Sequence, residues 1–156
     1  MSDHDYEIRE SKLEDAFLMA HNMREVDVQE IWASHMIRPL EALVYCIRNS
    51  ENSTTGLVDG EIACMFGIIR QNLLGSVGTI WLLGTDLLKM HGIRFLRENK
   101  KKIVEISEEF TIIENYCDAR NRATLKWLDW LGFVIEEAKP YGIYNLPFHH
   151  FHKEVA

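Results

Sequence analysis

The sequence has little proline, few cysteines and no excess of basic residues: its 156 residues include 3 Pro, 3 Cys and 17 Lys+Arg against 24 Asp+Glu. The formal net charge of −7 argues against the basic face that a nucleic-acid-binding protein needs. The short basic run Lys100–Lys102 has acidic residues nearby and is typical of a solvated helix face. We therefore expect no nucleic-acid partner.

Disulfide and metal-binding patterns are also missing. Cys46, Cys64 and Cys117 are odd in number and each lies beside large apolar residues, a pattern typical of buried thiols in a reducing compartment. No Cys/His spacing matches a zinc site. His150 and His152 would share one face of a strand, but the sequence shows no third ligand. The sequence thus predicts no metal site.

No apolar run approaches the roughly 20 residues of a membrane span, and the charged start MSDHDYEIRE lacks the apolar core of a signal peptide. We therefore expect no membrane partner and a protein that stays in the cytosol or is packaged from it. The length predicts a single domain over residues 1–156, and 47% hydrophobic residues can fill its core.

The clearest predicted element is the helix between Asn121 and Gly132. Asn121 can cap its first turn, and Gly132 stands where a helix end favours a left-handed residue. Leucines spaced three apart form one apolar stripe, and Ala123, Trp127 and Trp130 form a second. A helix with so much apolar circumference has to be covered on two sides.

The remaining periodicities predict the order strand, two or three helices, three strands, helix, strand, helix and closing hairpin. The predicted helices are Glu14–Met23, Asp27–His35, Leu40–Arg48 and one along Leu88–Phe110, and the predicted strands are Tyr6–Arg9, Thr55–Val58, Glu61–Arg70, Val77–Leu83, Thr111–Cys117, Val134–Ala138 and Tyr144–Lys153. Asp59-Gly60 predicts a tight primed turn, Asn49–Thr55 a polar loop, and Pro140–Gly142 the turn of the last hairpin.

This order, together with an asparagine, a helix and then Leu-Gly-Phe, resembles the GNAT fold of the acyl-CoA N-acyltransferases. The whole chain also resembles a small phage-encoded GNAT-like family, often labelled internal virion protein A. The matching stretches are Asn22–Ser34, Gly56–Gly60, Trp81–Asp86, Tyr116–Phe133, Pro140–Gly142 and Leu146–Phe151. The resemblance implies an α+β protein, an α/β/α sandwich with a central mixed sheet of about 6–7 strands flanked by helices.

The resemblance also implies a site for acetyl-CoA. In GNAT enzymes the strand corresponding to Val77–Leu83 separates from the strand after it, here Thr111–Cys117, and receives the pantetheine arm. The amides of the following helix face the pyrophosphate. On this chain the cofactor-binding residues would be Leu82, Leu83, Gly84, Thr85, Lys89, Gly92 and Asn121, with a backbone N–H near Leu83 to stabilise an oxyanion.

Three residues depart from the GNAT pattern. Arg94 stands where the phosphate loop has a small residue, so its side chain would either crowd a phosphate or point outward. Asp86 would either cap the helix or repel a pyrophosphate. Leu128 stands where many GNAT enzymes have the tyrosine that protonates the leaving thiolate.

Candidate acid–base groups lie on the strand Thr111–Cys117 and just after it. Glu114 and Asp118 are on one face by alternation, and they are either general bases or solvent-facing carboxylates. Tyr116 or Tyr141 would have to supply the proton that Leu128 cannot.

Arg24, Asp27 and Glu30 are spaced three apart and align on one helix face. They form either an acidic pocket for a cationic acceptor or an exposed ion-pair ladder, and the resemblance favours the pocket. Two functions follow from the sequence: an acetyl-CoA-dependent N-acetyltransferase acting on a protein or a small amine, or a catalytically inactive GNAT-fold protein with a virion, assembly or host-interaction role.

Overall fold

The computed structural model describes residues 3–155, which form eight strands and five helices. The strands are β1 Tyr6–Glu10, β2 Ser50–Val58, β3 Glu61–Arg70, β4 Val77–Gly84, β5 Ile112–Asp118, β6 Val134–Ile135, β7 Lys139–Tyr141 and β8 Leu146–Glu154. The helices are α1 Leu13–Ala20, α2 Glu25–His35, α3 Pro39–Asn49, α4 Leu87–Ser107 and α5 Arg122–Trp130. None of these helices is both long enough and apolar enough to span a membrane.

The strands form one mixed sheet in the order β1-β2-β3-β4-β5-β8-β6, and β7 also pairs with β8. All neighbouring strands are antiparallel except β4 and β5, which are parallel and joined by the crossover helix α4. Alternate side chains of β3 and β4 fill two cores: Met65 and Trp81 pack toward α1 and α3, whereas Phe66 and Ile80 pack toward α4. The sheet therefore lies between two helical layers, as expected of an α/β/α sandwich.

Two local signals in the sequence are confirmed in detail. The Asn121 side chain accepts from the Thr124 N–H and caps α5. Gly132 follows the helix with φ +89°, and the Phe133 N–H donates back to Leu128 O at 3.0 Å. The primed turn is also confirmed, because Asp59 (φ 50°) and Gly60 (φ 82°) both have positive φ.

The predicted polar loop at Asn49–Thr55 is wrong, because β2 already starts at Ser50 and pairs with β3 from that residue on. β1 reaches only as far as Thr54 along β2, so the first part of β2 is a sheet edge. An edge that faces water can be polar, which is why its sequence resembles a loop.

The closing hairpin is also different from its prediction. Pro140 and Tyr141 belong to β7, and the turn lies beyond them, with positive φ at Gly142 (76°) and Asn145 (53°). Pro140 is acceptable on the edge strand because it needs no ladder donor there. The second apolar stripe of α5 is only partly covered, since Trp130 is 49% exposed, with the Lys100 ammonium over its ring.

Candidate functional site

A cleft opens where β4 and β5 stop pairing. The two strands share only three residue pairs, the last of which joins Thr79 to Glu114. Just beyond it, the Asn115 amide donates to Ile80 O at 2.7 Å. After that point β4 and β5 no longer pair, as the resemblance to the GNAT fold implies.

The cleft leads into a cavity of about 630 Å³. Its walls include Leu82, Leu96, Trp127 and Leu128 from the side of α4 and α5, and Glu30, Ser34, Tyr116 and Tyr141 from the side of α2. Because both faces of the sheet contribute, the cavity passes through the gap between β4 and β5.

The free edge of β4 presents backbone groups to this gap. The Thr85 N–H donates to Ala63 O on β3 at 2.9 Å. Since alternate residues of an antiparallel strand face opposite neighbours, the N–H groups of Leu82 and Gly84 face away from β3. The Gly84 N–H is used by a carboxylate of α2. Of the N–H groups at the end of β4, that of Leu82 therefore faces the cleft, whereas that of Leu83 faces β3.

That carboxylate is Asp27, the centre of a buried clamp. Arg24 Nε and Nη2 bind its two oxygens at 2.8 and 3.0 Å, and the Gly84 N–H donates to it at 2.8 Å. The Asn121 amide adds a longer contact at 3.4 Å. Asp27 is fully buried and Arg24 is 5% exposed, so these residues do not form an exposed ladder.

The clamp joins three elements that flank the cleft. The Arg24 N–H donates to Gly84 O at 2.8 Å, and the Arg24 guanidinium lies 5.5 Å from the ring centroid of Trp127 on α5. Through Asp27 and Asn121 the start of α2 is thus fixed to the end of β4 and to the start of α5. Removing one partner would leave a buried charge without compensation.

Glu30, one helical turn after Asp27, lies on the cavity wall. One of its carboxylate oxygens accepts the Asp118 N–H at 2.7 Å. Burial raises the pKa of Glu30 to about 7, against the Asp118 hydrogen bond and with a smaller contribution from the Asp27 charge. A carboxyl with a pKa near 7 can serve as a general base at neutral pH. This shift could not be predicted from the sequence, because burial in the folded chain is its main cause.

The three candidate residues of β5 have separate partners. Asp118 is buried and ion-paired with Arg120, Oδ2 to Nη2 at 2.7 Å. One oxygen of Glu114 lies 3.4 Å from His150 Nε2. The two carboxylates share a face, as predicted, but they do not meet at one point. Tyr116 stacks on Tyr141, with ring centroids 4.1 Å apart, and both tyrosines line the cavity.

The first turn of α4 largely satisfies its own amides. The Leu87 N–H lies 3.4 Å from Thr85 Oγ1, the Leu88 N–H donates to Thr85 O, and the Lys89 N–H donates to Asp86 O. Asp86 occupies the N-cap position, but its side chain makes no cap hydrogen bond and pairs with Lys89 Nζ at 3.4 Å. This end of α4 offers few free donors to a phosphate.

Gly92 allows α4 and α5 to approach each other. A Cβ on Gly92 would lie 2.6 Å from Cζ2 of Trp127, so the ring occupies the space that the glycine leaves. Arg94 points away from the cleft, since it pairs with Glu98 at 3.0 Å and its guanidinium lies 4.2 Å from the Tyr6 ring centroid. Gly92 and Arg94 therefore both have structural partners on the protein.

Comparison with solved structures defines the fold. The acetyltransferase of the GNAT family from Streptococcus pneumoniae is 17% identical, covers 97% of this chain and is itself fully covered, with a TM-score of 0.65. The Salmonella typhimurium protein yncA, solved with its cofactor acetyl-CoA, is 10% identical over 97% of this chain and 94% of its own, with a TM-score of 0.71. Spermidine N-acetyltransferase from Vibrio cholerae, in complex with CoA and spermine, is 14% identical over 96% and 95%, with a TM-score of 0.66.

The chain therefore has the GNAT acetyltransferase fold, with a mixed sheet of eight strands and five helices in its described part. No protein-family model matches the sequence, and no curated protein matches it.

Proposed function

We propose that this protein is an acyl-CoA-dependent N-acyltransferase that uses acetyl-CoA as donor and an amine, on a small molecule or a protein, as acceptor. The observation that carries the proposal is the cavity through the gap between β4 and β5, with the Leu82 edge and Glu30 on its walls. Structural neighbours of the same fold are described with acetyl-CoA or with CoA and spermine, which supports the choice of cofactor and acceptor.

The cavity fits the thioester arm better than the helix end fits a pyrophosphate. The apolar walls, which include Leu83, and the free backbone edge at Leu82 suit an extended amide-containing arm, and Gly84, Thr85 and Asn121 would hold that edge in place. The phosphate end would lie at the start of α4, near Gly92 in the next turn, with the Lys89 ammonium as its main partner because the first-turn amides are largely used. When bound, acetyl-CoA supplies an activated acyl group.

The protein's own groups would supply the proton chemistry. Glu30 would take a proton from the acceptor ammonium, and the Leu82 N–H would stabilise negative charge on the reacting carbonyl oxygen. Tyr116 or Tyr141 would supply a proton in place of Leu128. Arg24 and Asp27 would act in acceptor binding by fixing the helix that carries Glu30, while Glu114 and Asp118 add negative charge along β5.

The test separates binding from transfer. Purified protein should bind acetyl-CoA in calorimetry and transfer the acetyl group to spermidine or to peptide amines, measured as released thiol. Glu30→Gln should bind acetyl-CoA as the wild type does but transfer it at least about 100-fold more slowly, because the base is lost. Glu25→Gln, on an exposed part of the same helix, is the matched control. Absence of binding at millimolar acetyl-CoA would exclude the proposal.

A second candidate is a phage GNAT-fold protein without catalysis, acting in the host cytoplasm or within the virion through contacts with virion or host proteins. The buried Leu128 and the self-satisfied first turn of α4 favour it. It is preferred if acetyl-CoA does not bind while a phage that lacks the gene is complemented equally by the wild type and by Glu30→Gln.

A further inference from the structure

A cluster of histidine and carboxylate groups lies on one face of β8. His150 and His152 are two residues apart and project on the same side. Glu136, just after β6, reaches both: its Oε1 lies 3.1 Å from His152 Nε2 and its Oε2 lies 3.5 Å from His150 Nδ1. The third ligand that the sequence did not reveal comes from this neighbouring segment.

The spacing suits a transition metal. The three donor atoms all lie within 4.8 Å of one another. Ligand bonds of about 2.0–2.1 Å in tetrahedral geometry place donor atoms roughly 3.3 Å apart, which is close to the two His–Glu distances. Imidazole nitrogens with a carboxylate favour Zn²⁺ and similar divalent ions over Mg²⁺ or Ca²⁺, which prefer all-oxygen sites.

Neighbouring groups hold these side chains in place. The second nitrogen of His150, Nε2, lies 3.4 Å from Glu114 Oε1, and this carboxylate–histidine contact is the usual support of a metal-bound imidazole. The Glu136 backbone is fixed on both sides, since its N–H donates to His150 O at 2.9 Å and its C=O lies 2.8 Å from His149 Nδ1. The Tyr116 ring covers His150 at 4.9 Å between centroids.

We propose that Glu136, His150 and His152 form a binding site for one divalent transition metal ion, with Zn²⁺ the favoured ion, and that Glu114 orients His150 within it. Three protein ligands leave a fourth position for water or another small donor. Glu114 and Tyr116 also line the large cavity, so the ion would stand beside it. The proposal does not depend on acyltransfer.

The test uses the full chain without a histidine tag, stripped of metal by a chelator. Titration with Zn²⁺ in a calorimeter should give one ion per chain and a rise in melting temperature, whereas Mg²⁺ should give neither. His152→Ala and Glu136→Gln should each weaken Zn²⁺ binding at least tenfold, and Glu114→Gln should weaken it about 10- to 100-fold. His21→Ala, an exposed histidine outside the cluster, should bind as the wild type does.

The cysteine thiols are the competing metal ligands, and the absorption spectrum of bound Co²⁺ distinguishes thiolate ligation from ligation by the cluster. Co²⁺ bound at the cluster should give a spectrum without a thiolate charge-transfer band. The proposal is overturned if the band appears, if the wild type binds no stoichiometric Zn²⁺, or if the variants bind as tightly as the wild type. Glu136 is exposed, so Glu136→Gln decides the matter should His152→Ala fail to fold.

Discussion

At the residue scale, Glu30 shows how position in the fold can change the pKa of a common side chain. Its spacing from Asp27 is compatible with an acceptor pocket or with an exposed ion-pair ladder, and in the structure its carboxyl lies on a cavity wall against the backbone of Asp118. The pKa of about 7 results from the folded structure and not from the neighbouring residues in the sequence, because burial is its main cause. The sequence could therefore place Glu30 in a candidate acceptor pocket, but it could not predict the raised pKa of its carboxyl.

The raised pKa of Glu30 predicts a stability change with pH. The folded carboxyl keeps its proton up to about pH 7, whereas the unfolded carboxyl loses it near 4.5. Between these values the folded state holds more protons, so the free energy of unfolding falls as pH rises. Compared with Glu30→Gln, the wild type should lose up to about 3 kcal/mol between pH 4 and pH 8. Denaturant unfolding of both proteins at a series of pH values measures this difference, and parallel curves would contradict it.

The Asp27 clamp gives a second prediction at this scale. Asp27→Ala leaves Arg24 buried without its partner and the Gly84 N–H without an acceptor, so it should destabilise the fold by about 3–5 kcal/mol. The exposed pair of Asp86 and Lys89 provides the control, since Lys89→Ala should change stability by less than about 1 kcal/mol. Equal effects in urea unfolding would show that the clamp is not a buried charge pair.

At the element scale, the sequence predicted α5 well because its signals are local. A capping asparagine and a left-handed glycine act within one turn of the helix, and both are in place. The start of β2 was missed because a polar edge strand is formed by pairing with β3 and not by its own composition. The closing hairpin was misplaced for a similar reason, since β7 depends on β8 for its pairing. Local chemistry is readable in the sequence, and pairing between distant segments is not.

The end of α5 provides a prediction at this scale. At Gly132, with φ +89°, the nearest atoms to an added Cβ are those of Lys153 at 3.6 and 3.8 Å, so space is not limiting. Gly132→Val should nevertheless destabilise the fold by about 1–2 kcal/mol, because a β-branched residue is strained at positive φ. Gly132→Asn, which tolerates this region better, should lose less. Thermal melts of the three proteins measure the order, and a valine variant as stable as the wild type would contradict the assignment of strain.

At the scale of the whole molecule, the gap in the sheet divides the chain as well as the fold. Residues 6–84 supply every strand on one side of the gap, and residues 112–154 supply every described strand on the other. The long crossover helix α4 links them, since parallel neighbours need such a connection. The strand positions predicted from the sequence are compatible with this division, whereas the clamp that bridges it was not predicted.

The three shared residue pairs of β4 and β5 have a mechanical consequence. These pairs are the only strand pairing between the two halves of the chain in its described part. Arg24 and Asp27 add hydrogen bonds across the gap, to Thr124 on α5 and to the capping residue Asn121. A molecule that fills the cleft would contact residues of both halves, since the cavity is lined from β4 on one side and from β5 on the other. Its binding energy would therefore resist their separation, so occupancy of the cleft would stiffen the entire sheet and not only the walls that the molecule contacts.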